Sequence, residues 1–196
     1  LPNMIYGAVL RCPHPHARLK KLDTARARKM PGVRAVITGD TPEAKALRWK
    51  YRDYTGPFFD PHCRFEGEVV AAVAADTRYQ AWDAVRAMNA EYEVLPYVAD
   101  HEQALDGSAV RVHKDGNLAG TSEYARGDVE SGFAAADAVA ERTYRTTCEL
   151  HTPMELHGCV ANWDGDRLTL WESSQGVYAI QSRISEVLDL PLSRVR

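Results

Sequence analysis

The spacing of apolar residues changes period several times along the chain, and each change marks an element. "MIYGAVLRC" alternates apolar and polar positions, which predicts a strand. "DTARARKMPG" follows as a short helix, capped by Asp23 or Thr24 and stopped at Pro31-Gly32. "VRAVIT" is β-branched and strand-like. "DTPEAKAL" predicts one or two helical turns, with Thr41 as cap and Pro42 at the first helical position. Residues 48–67, "RWKYRDYTGPFFDPHCRFEG", have no period, and predict a long ordered loop. "EVVAAVAA" predicts a buried strand. Asp76-Thr77 then caps "RYQAWDAVRAMN", whose Ala81, Trp82, Val85 and Met88 share one helical face. "EYEVLPYV" reads as the returning strand. Residues 68–98 therefore form a strand–helix–strand unit and residues 4–38 a rougher one. Together they predict an α/β (α+β) domain over residues 1–106.

The pattern lapses over residues 107–122, where three glycines interrupt an aperiodic run, and a linker is expected there. Residues 123–196 resume with Asp128 capping "VESGFAAA" and a long strand over about 138–150. "GCVANWDGDRLTLWE" gives two alternating runs around Asp164-Gly165, a tight hairpin signal. "VYAIQSRISEVLDLP" predicts an amphipathic helix with Val177, Ile180, Ile184, Val187 and Leu188 on its buried stripe. This second part reads as the β-rich beginning of another domain.

Composition adds little to this picture. Apolar residues are 45% and charged residues 26% of 196 residues, as in an ordinary globular protein. No apolar run is long enough to span a membrane and no signal peptide is visible, so a cytoplasmic protein is expected. The first residue is Leu1 rather than methionine, and Arg196 falls where a strand begins. A piece of a longer polypeptide is expected. Charge is uneven: residues 1–64 hold 13 Lys and Arg against 5 Asp and Glu, and residues 65–141 hold 5 against 15. Two solvated faces explain this, as does a basic segment that meets an acidic partner or the acidic segment of the same chain. The basic positions are too scattered for a nucleic-acid surface. Cys12, Cys63, Cys148 and Cys159 form no Cys-x-x-Cys pair and read as reduced, mostly buried thiols.

Several residue clusters carry potential chemistry. Cys148, His151, His157 and Cys159 offer zinc-type ligands, but at intervals of two, five and one residues that fit neither a finger nor a His-Glu-x-x-His helix. They read as strand thiols and turn histidines. His14 and His16 in "RCPHPHAR" read as loop residues rather than a metal tract. Glu66, Glu68, Glu91 and Glu93 read as solvated strand edges. Ser173-Ser174-Gln175-Gly176 lies between a strand end and a helix start, where N–H groups suit an anion or a simple serine cap. No Ser-His-Asp set, phosphate loop or dinucleotide fingerprint is present. These residues alone name no reaction.

The order of segments does name a family. "LPNMIYGAVLRCPHPHARLKKLDTARARKMPGVRAVITGDT" resembles the opening of the hammerhead domain of the xanthine dehydrogenase/aldehyde oxidase family. "FEGEVVAAVAADTRYQAWDAVRAMNAEYEVLPYVADHEQAL" resembles its second half. "YARGDVESGFAAADAVAERTYRTTCELHTPMELHGCVANWDGDRLTLWESSQG" and the following helix are similar to the start of the adjacent molybdenum-cofactor-binding domain. The resemblance implies a fragment of the molybdenum-binding catalytic subunit of a hydroxylase or dehydrogenase acting on an aldehyde, an N-heterocycle or an aromatic CoA ester. The 4-hydroxybenzoyl-CoA reductases, which run electrons in reverse, are one bacterial branch. Implied cofactors are molybdenum–molybdopterin, in its cytosine dinucleotide form, with [2Fe-2S] clusters and FAD on partner subunits or domains. Implied partners are the remainder of the subunit, iron–sulfur and flavin subunits, and a small-molecule substrate.

Gln175 matches the glutamine of the family's Ser-Thr-Gln segment beside the molybdenum, with Ser174 in place of threonine, and Gly176 follows it. Glu155 and His157 match a Met-Glu-Pro-His pattern in which Leu156 replaces proline. The family's Gly-rich loop and base glutamate lie downstream of Arg196, so no catalytic residue is expected here and the isolated chain is expected to be inactive. The alternatives are a non-catalytic assembly module and a small zinc-binding protein.

Overall fold

In the computed structural model, residues 1–51 and 54–196 are described, excepting the side chains of Lys50, Tyr51 and Tyr54. The first half builds two three-stranded antiparallel sheets. In one, β7 (Val69–Ala75) lies between β1 (Tyr6–Arg11) and β3 (Val33–Thr38). In the other, β2 (Ala17–Asp23) lies between β6 (His62–Cys63) and β8 (Asn89–Val94).

The run "VVAAVAA" is apolar on both faces because β7 is the central strand and packs on both sides. Its small side chains let helix α3 (Arg78–Arg86) lie close against the sheet. The core here joins Ala8, Val36, Val73 and Ala75 to Ala81, Ala84 and Val85 of α3, and to Ala27 of the four-residue helix α1 (Ala25–Arg28). A second cluster joins Cys12, Ala17, Cys63 and Val70, with Leu10, Leu19 and Tyr92 packed against it.

Helix α3 begins where expected. Thr77 Oγ1 accepts the Gln80 N–H at 3.2 Å, satisfying one of the free donors of the first turn. Its buried face differs from the expected one in a single register: Ala84 is buried, while Trp82 is exposed. Pro31-Gly32 ends the α1 region as expected. Gly32 sits at φ +79°, and a Cβ there would collide with the Gln80 side chain.

Three expectations for this half are corrected. "ARLKKLD" forms β2, which was hidden because its lysines face solvent and its apolar partners are too few to mark alternation. The expected strand–helix–strand unit over 68–98 exists in order, but β7 and β8 belong to different sheets, so α3 is a crossover between layers. The expected loop 48–67 contains a hairpin, β4 (Arg48–Tyr51) with β5 (Tyr54–Pro57), and β6; positions 52 and 53 of that stretch lie outside the described residues. Helix α2 (Pro42–Ala46) precedes it, as expected.

Part of the uneven charge is paired inside the chain. Lys20 and Lys21 of β2 meet Glu93 and Glu91 of β8 at 3.4 and 3.5 Å. Arg34 grips Asp76 through two nitrogens at 2.6 and 3.1 Å. All are solvent-exposed pairs and contribute little to stability individually, about 0–1 kcal/mol.

The second half is sparser. Helix α4 (His101–Leu105) is capped by Asp100, and α5 (Val129–Ala134) by Asp128, whose Oδ1 accepts the Ser131 N–H at 3.0 Å. The strand expected over 138–150 is not formed: these residues lie exposed with no neighbouring strand among the described residues to take their N–H and C=O groups. The hairpin is present as β9 (Cys159–Asp164) and β10 (Arg167–Glu172). Its turn is Gly165-Asp166, one residue later than expected, because Asp164 pairs with Arg167. Gly165 takes φ +60° at the first central position, the place that a type II′ turn gives to glycine. No helix among the described residues is long and apolar enough to cross a membrane.

Candidate functional site

The segment Ser173–Gly176 runs from the end of β10 into helix α6 (Val177–Leu188). Its position is fixed from the far side of α6. Gln181 Nε2 donates to the carbonyl of Val195 at 2.5 Å, and Ser185 Oγ donates to the carbonyl of Leu190, also at 2.5 Å. Val195 pairs in parallel with Leu168 of β10, and both are buried. The segment after α6 is thereby tied both to the helix and to β10, and the helix itself begins at Val177, shortly after β10 ends at Glu172.

Only part of the expected apolar stripe on α6 is covered. Ile180, Ile184 and Val187 are half-buried, whereas Val177 and Leu188 are exposed, because no described element packs over the ends of the helix. At its N-terminus Gly176 is the cap residue, and no side chain caps the first turn. The Gly176 N–H donates to Ser174 Oγ at 2.9 Å, so Ser174 shapes the turn before the helix rather than capping it. Ser173 Oγ is buried with no hydrogen-bond partner among the described residues. Gln175 is exposed. The segment thus presents uncapped backbone N–H groups, one unpartnered hydroxyl and one exposed amide: donors without an acceptor.

Glu155 and His157 lie exposed in the irregular stretch before β9. Cys148 and Cys159 are exposed too, against the expectation of mostly buried thiols, whereas Cys12 and Cys63 are buried. The difference follows from packing: the latter pair is enclosed with Ala17 and Val70, and the former lie on exposed segments. Among the described residues, no three or more His, Cys, Asp or Glu side chains converge in a manner that would hold a metal ion. The depression of about 330 Å³ beside α5 is lined by Val129, Phe133 and small residues up to Ala140, and does not include Gln175.

The other polar concentration was missed in the sequence. His16 is buried, not a loose loop residue. Its Nε2 lies 2.8 Å from His62 Nε2, and its Nδ1 lies 2.5 Å from the Pro96 carbonyl. Beside this pair, Arg64 bonds Asp60 at 2.8 Å and Glu68 at 3.4 Å, all three side chains being largely buried. Burial pushes the Glu68 carboxyl above its usual range, and Glu68 is therefore not the solvated edge residue expected; Glu91 and Glu93 are. Burial, then the nearby Arg64, lowers the basicity of His62. Burial and the neighbouring Cys12 thiol push the Cys63 thiol up, and burial raises the Tyr92 hydroxyl to about 12. Of residues 60–64 only His62 and Cys63 form a strand, which is too short for a two-residue period to reveal.

Two adjacent family profiles match the chain. One is described as aldehyde oxidase and xanthine dehydrogenase, a/b hammerhead domain, over residues 1–96; the other as molybdopterin cofactor-binding domain, over residues 111–196. The chain is 36% identical over its whole length to a probable xanthine dehydrogenase polypeptide of Bacillus subtilis, covering 26% of that protein. It is 34% identical to the carbon monoxide dehydrogenase large chain of Hydrogenophaga pseudoflava, covering all of this chain and 27% of that one. Among solved structures, quinoline 2-oxidoreductase from Pseudomonas putida 86 superposes over the whole chain with a TM-score of 0.81 at 30% identity, covering 26% of that chain. The chain thus spans about a quarter of the length of these relatives.

Proposed function

Because the chain belongs to the aldehyde oxidase and xanthine dehydrogenase family, we propose that it forms part of the molybdenum-binding catalytic subunit of a molybdenum hydroxylase or dehydrogenase. The observation that carries this reading is the succession of the two family profiles, in order, across nearly all of the chain. The proposed substrate class is an aldehyde, an N-heterocycle or an aromatic CoA ester. The domain division is a hammerhead domain over 1–106, a connection over 107–122, and the first part of the cofactor-binding domain over 123–196.

The residues at the head of α6 fit a molybdopterin cofactor. Such a cofactor is anionic and rich in acceptors, and the uncapped N–H groups of α6, the Ser173 hydroxyl and the Gln175 amide are donors that lack acceptors among the described residues. When bound, the cofactor supplies two-electron redox chemistry at molybdenum. Gln175 then has one task, to donate a hydrogen bond from its amide, and Gly176 brings the backbone close without a side chain in the way. The cytosine dinucleotide form of the cofactor is part of the proposal, as are [2Fe-2S] and FAD on partner subunits and a cytoplasmic location.

Metal and pterin analysis of the intact polypeptide, purified with its partner subunits, tests the reading. Near-stoichiometric molybdenum with a released pterin nucleotide is expected, together with loss of activity when cells are grown on tungstate. An intact polypeptide free of molybdenum and pterin overturns it.

A further inference from the structure

The buried thiols of Cys12 and Cys63 take no part in the proposed cofactor site. We propose that they are a peroxide-oxidisable pair, and that the disulfide they form ties together the two sheets of residues 1–96.

Backbone pairing brings the two residues together from different sheets. Cys12 follows β1; its N–H donates to the Glu68 carbonyl at 2.9 Å, and its carbonyl accepts the Gly67 N–H at 2.8 Å. Cys63 belongs to β6 and pairs with Ala17 of β2. Only residues 64–66 separate Cys63 from the backbone bonded to Cys12. Both side chains are enclosed in one cluster with Ala17 and Val70. Within it the Cys12 S–H donates to the His14 carbonyl at 3.6 Å, so Cys12 Sγ is the acceptor of its hydrogen bond with the Cys63 thiol. Burial and this bond push the Cys63 thiol up, which leaves Cys12 as the first nucleophile. The Tyr92 hydroxyl, buried beside both thiols, has no hydrogen-bond partner among the described residues. It is a spare donor for an oxygen carried on Cys12 Sγ.

Cys12 is 1% and Cys63 0% exposed, which selects an oxidant as small as hydrogen peroxide over a bulky disulfide. In the first step Cys12 sulfur attacks the peroxide. An S–O bond forms, the O–O bond breaks, and the leaving hydroxide takes the Cys12 proton as water. In the second step Cys63 sulfur attacks the Cys12 sulfenic acid. The S–S bond forms, the S–O bond breaks, and water leaves with the Cys63 proton. Two electrons pass from the sulfurs to the peroxide, so two thiols and one peroxide give one disulfide and two waters. The cross-link closes a loop of about fifty residues that holds β2 and β3, and raises the ratio of folded to unfolded molecules by about 30- to 1000-fold.

Peroxide treatment of the intact polypeptide with its partner subunits, followed by thiol blocking, digestion and mass spectrometry, tests this. The peptides carrying Cys12 and Cys63 are expected to be joined, and to separate on dithiothreitol. Hydrogen exchange at Val73 of β7 is expected to slow by about 30- to 1000-fold in the cross-linked protein and to return on dithiothreitol, which does not reverse methionine oxidation. In Cys63→Ser, peroxide is expected to leave Val73 exchange within about twofold of its untreated value. Should that variant not fold, the peptide map of the wild type decides alone. Tyr92→Phe removes the spare donor and is expected to slow cross-linking about tenfold; an unchanged rate overturns the part given to its hydroxyl. Separate sulfinic or sulfonic acids at Cys12 and Cys63, a bond from either to Cys148 or Cys159, or free thiols at both after the exposed cysteines have oxidised overturns the pair.

Discussion

Residues 1–96 and 111–196 use the same kinds of residues to opposite effect. The first region closes its own core: β7 is covered by β1, β3 and α3, and fifteen of the seventeen buried apolar residues among those described lie there. The second has only Leu168 and Val195 fully buried among its described residues. Its Phe133, Tyr144, Leu150, Met154 and Tyr178 are more than half exposed, an apolar surface well beyond what a folded domain ordinarily leaves in water. The contrast teaches that hydrophobic patterning specifies an element, whereas burial requires a partner of matching shape. Helix α6 has a genuine amphipathic sequence, yet among the described residues its stripe is only half-covered.

The largest expected effect tests the contrast directly. In the 196-residue chain, amides of β7 are expected to be protected at least about a thousandfold more than those of residues 138–158, as global and local opening differ by that much in a folded domain. Equal protection would mean the second region is closed in solution by something the fold does not show.

Substitution sharpens it next. Val73→Ala removes two buried methyl groups from the β7 core and is expected to cost about 2–3 kcal/mol in a urea melt. Phe133→Ala, although larger, is expected to fall within about 0.5 kcal/mol, since Phe133 is exposed.

The same two regions separate stability from rate. Gln175→Leu in the full-length holoenzyme keeps similar bulk and removes the amide. A hydrogen bond to a charged group is worth roughly 1.5–3 kcal/mol, so kcat per molybdenum is expected to drop about 10- to 100-fold with molybdenum content unchanged. An unchanged kcat per molybdenum removes Gln175 from the site.

The smallest effect compares caps. Thr77→Ala is expected to lower global stability by about 1 kcal/mol, because α3 is part of the closed core. Asp128→Ala is expected to leave the global transition unmoved and raise exchange only in α5, which has no buried residue. The hydrogen bond from Ser131 holds the Asp128 carboxyl below its usual range, so that local stabilisation is present at neutral pH and is lost as pH falls below the ordinary carboxylate value.

Elements with a local cause were legible in the sequence. Thr77 and Asp128 are caps because their side-chain oxygens reach an amide three residues on, and Gly165 makes the hairpin turn from its own backbone freedom. What was not legible depends on distant partners. The lysines of β2 conceal a strand that is defined by its backbone pairing with β8, more than sixty positions away in the chain, where Arg18 faces Glu93 and Lys21 faces Glu91. His16 looked like a loop residue because its partners, His62 and Pro96, are 46 and 80 positions away. Residues 138–150 failed in the other direction: they have strand propensity and no described strand to join. Gln175 and Gly176 were found by likeness to a family motif, and the free donors around them, Ser173 above all, became visible only from the packing of α6.

The order β1–β7–β3 also has a consequence for synthesis. Both outer strands are made first and neither touches the other; each waits for β7, and Tyr6 pairs with Ala75 across nearly seventy positions. At a ribosomal pace of about 5–20 residues per second, β3 waits roughly 2–8 s for its partner, with both its edges open. During that interval the nascent chain carries two apolar ribbons competent to pair with any other open edge. Translation speed through residues 39–75 therefore sets how long these edges stay unpaired, and the late arrival of a single strand closes one edge of β1 and one of β3 at once.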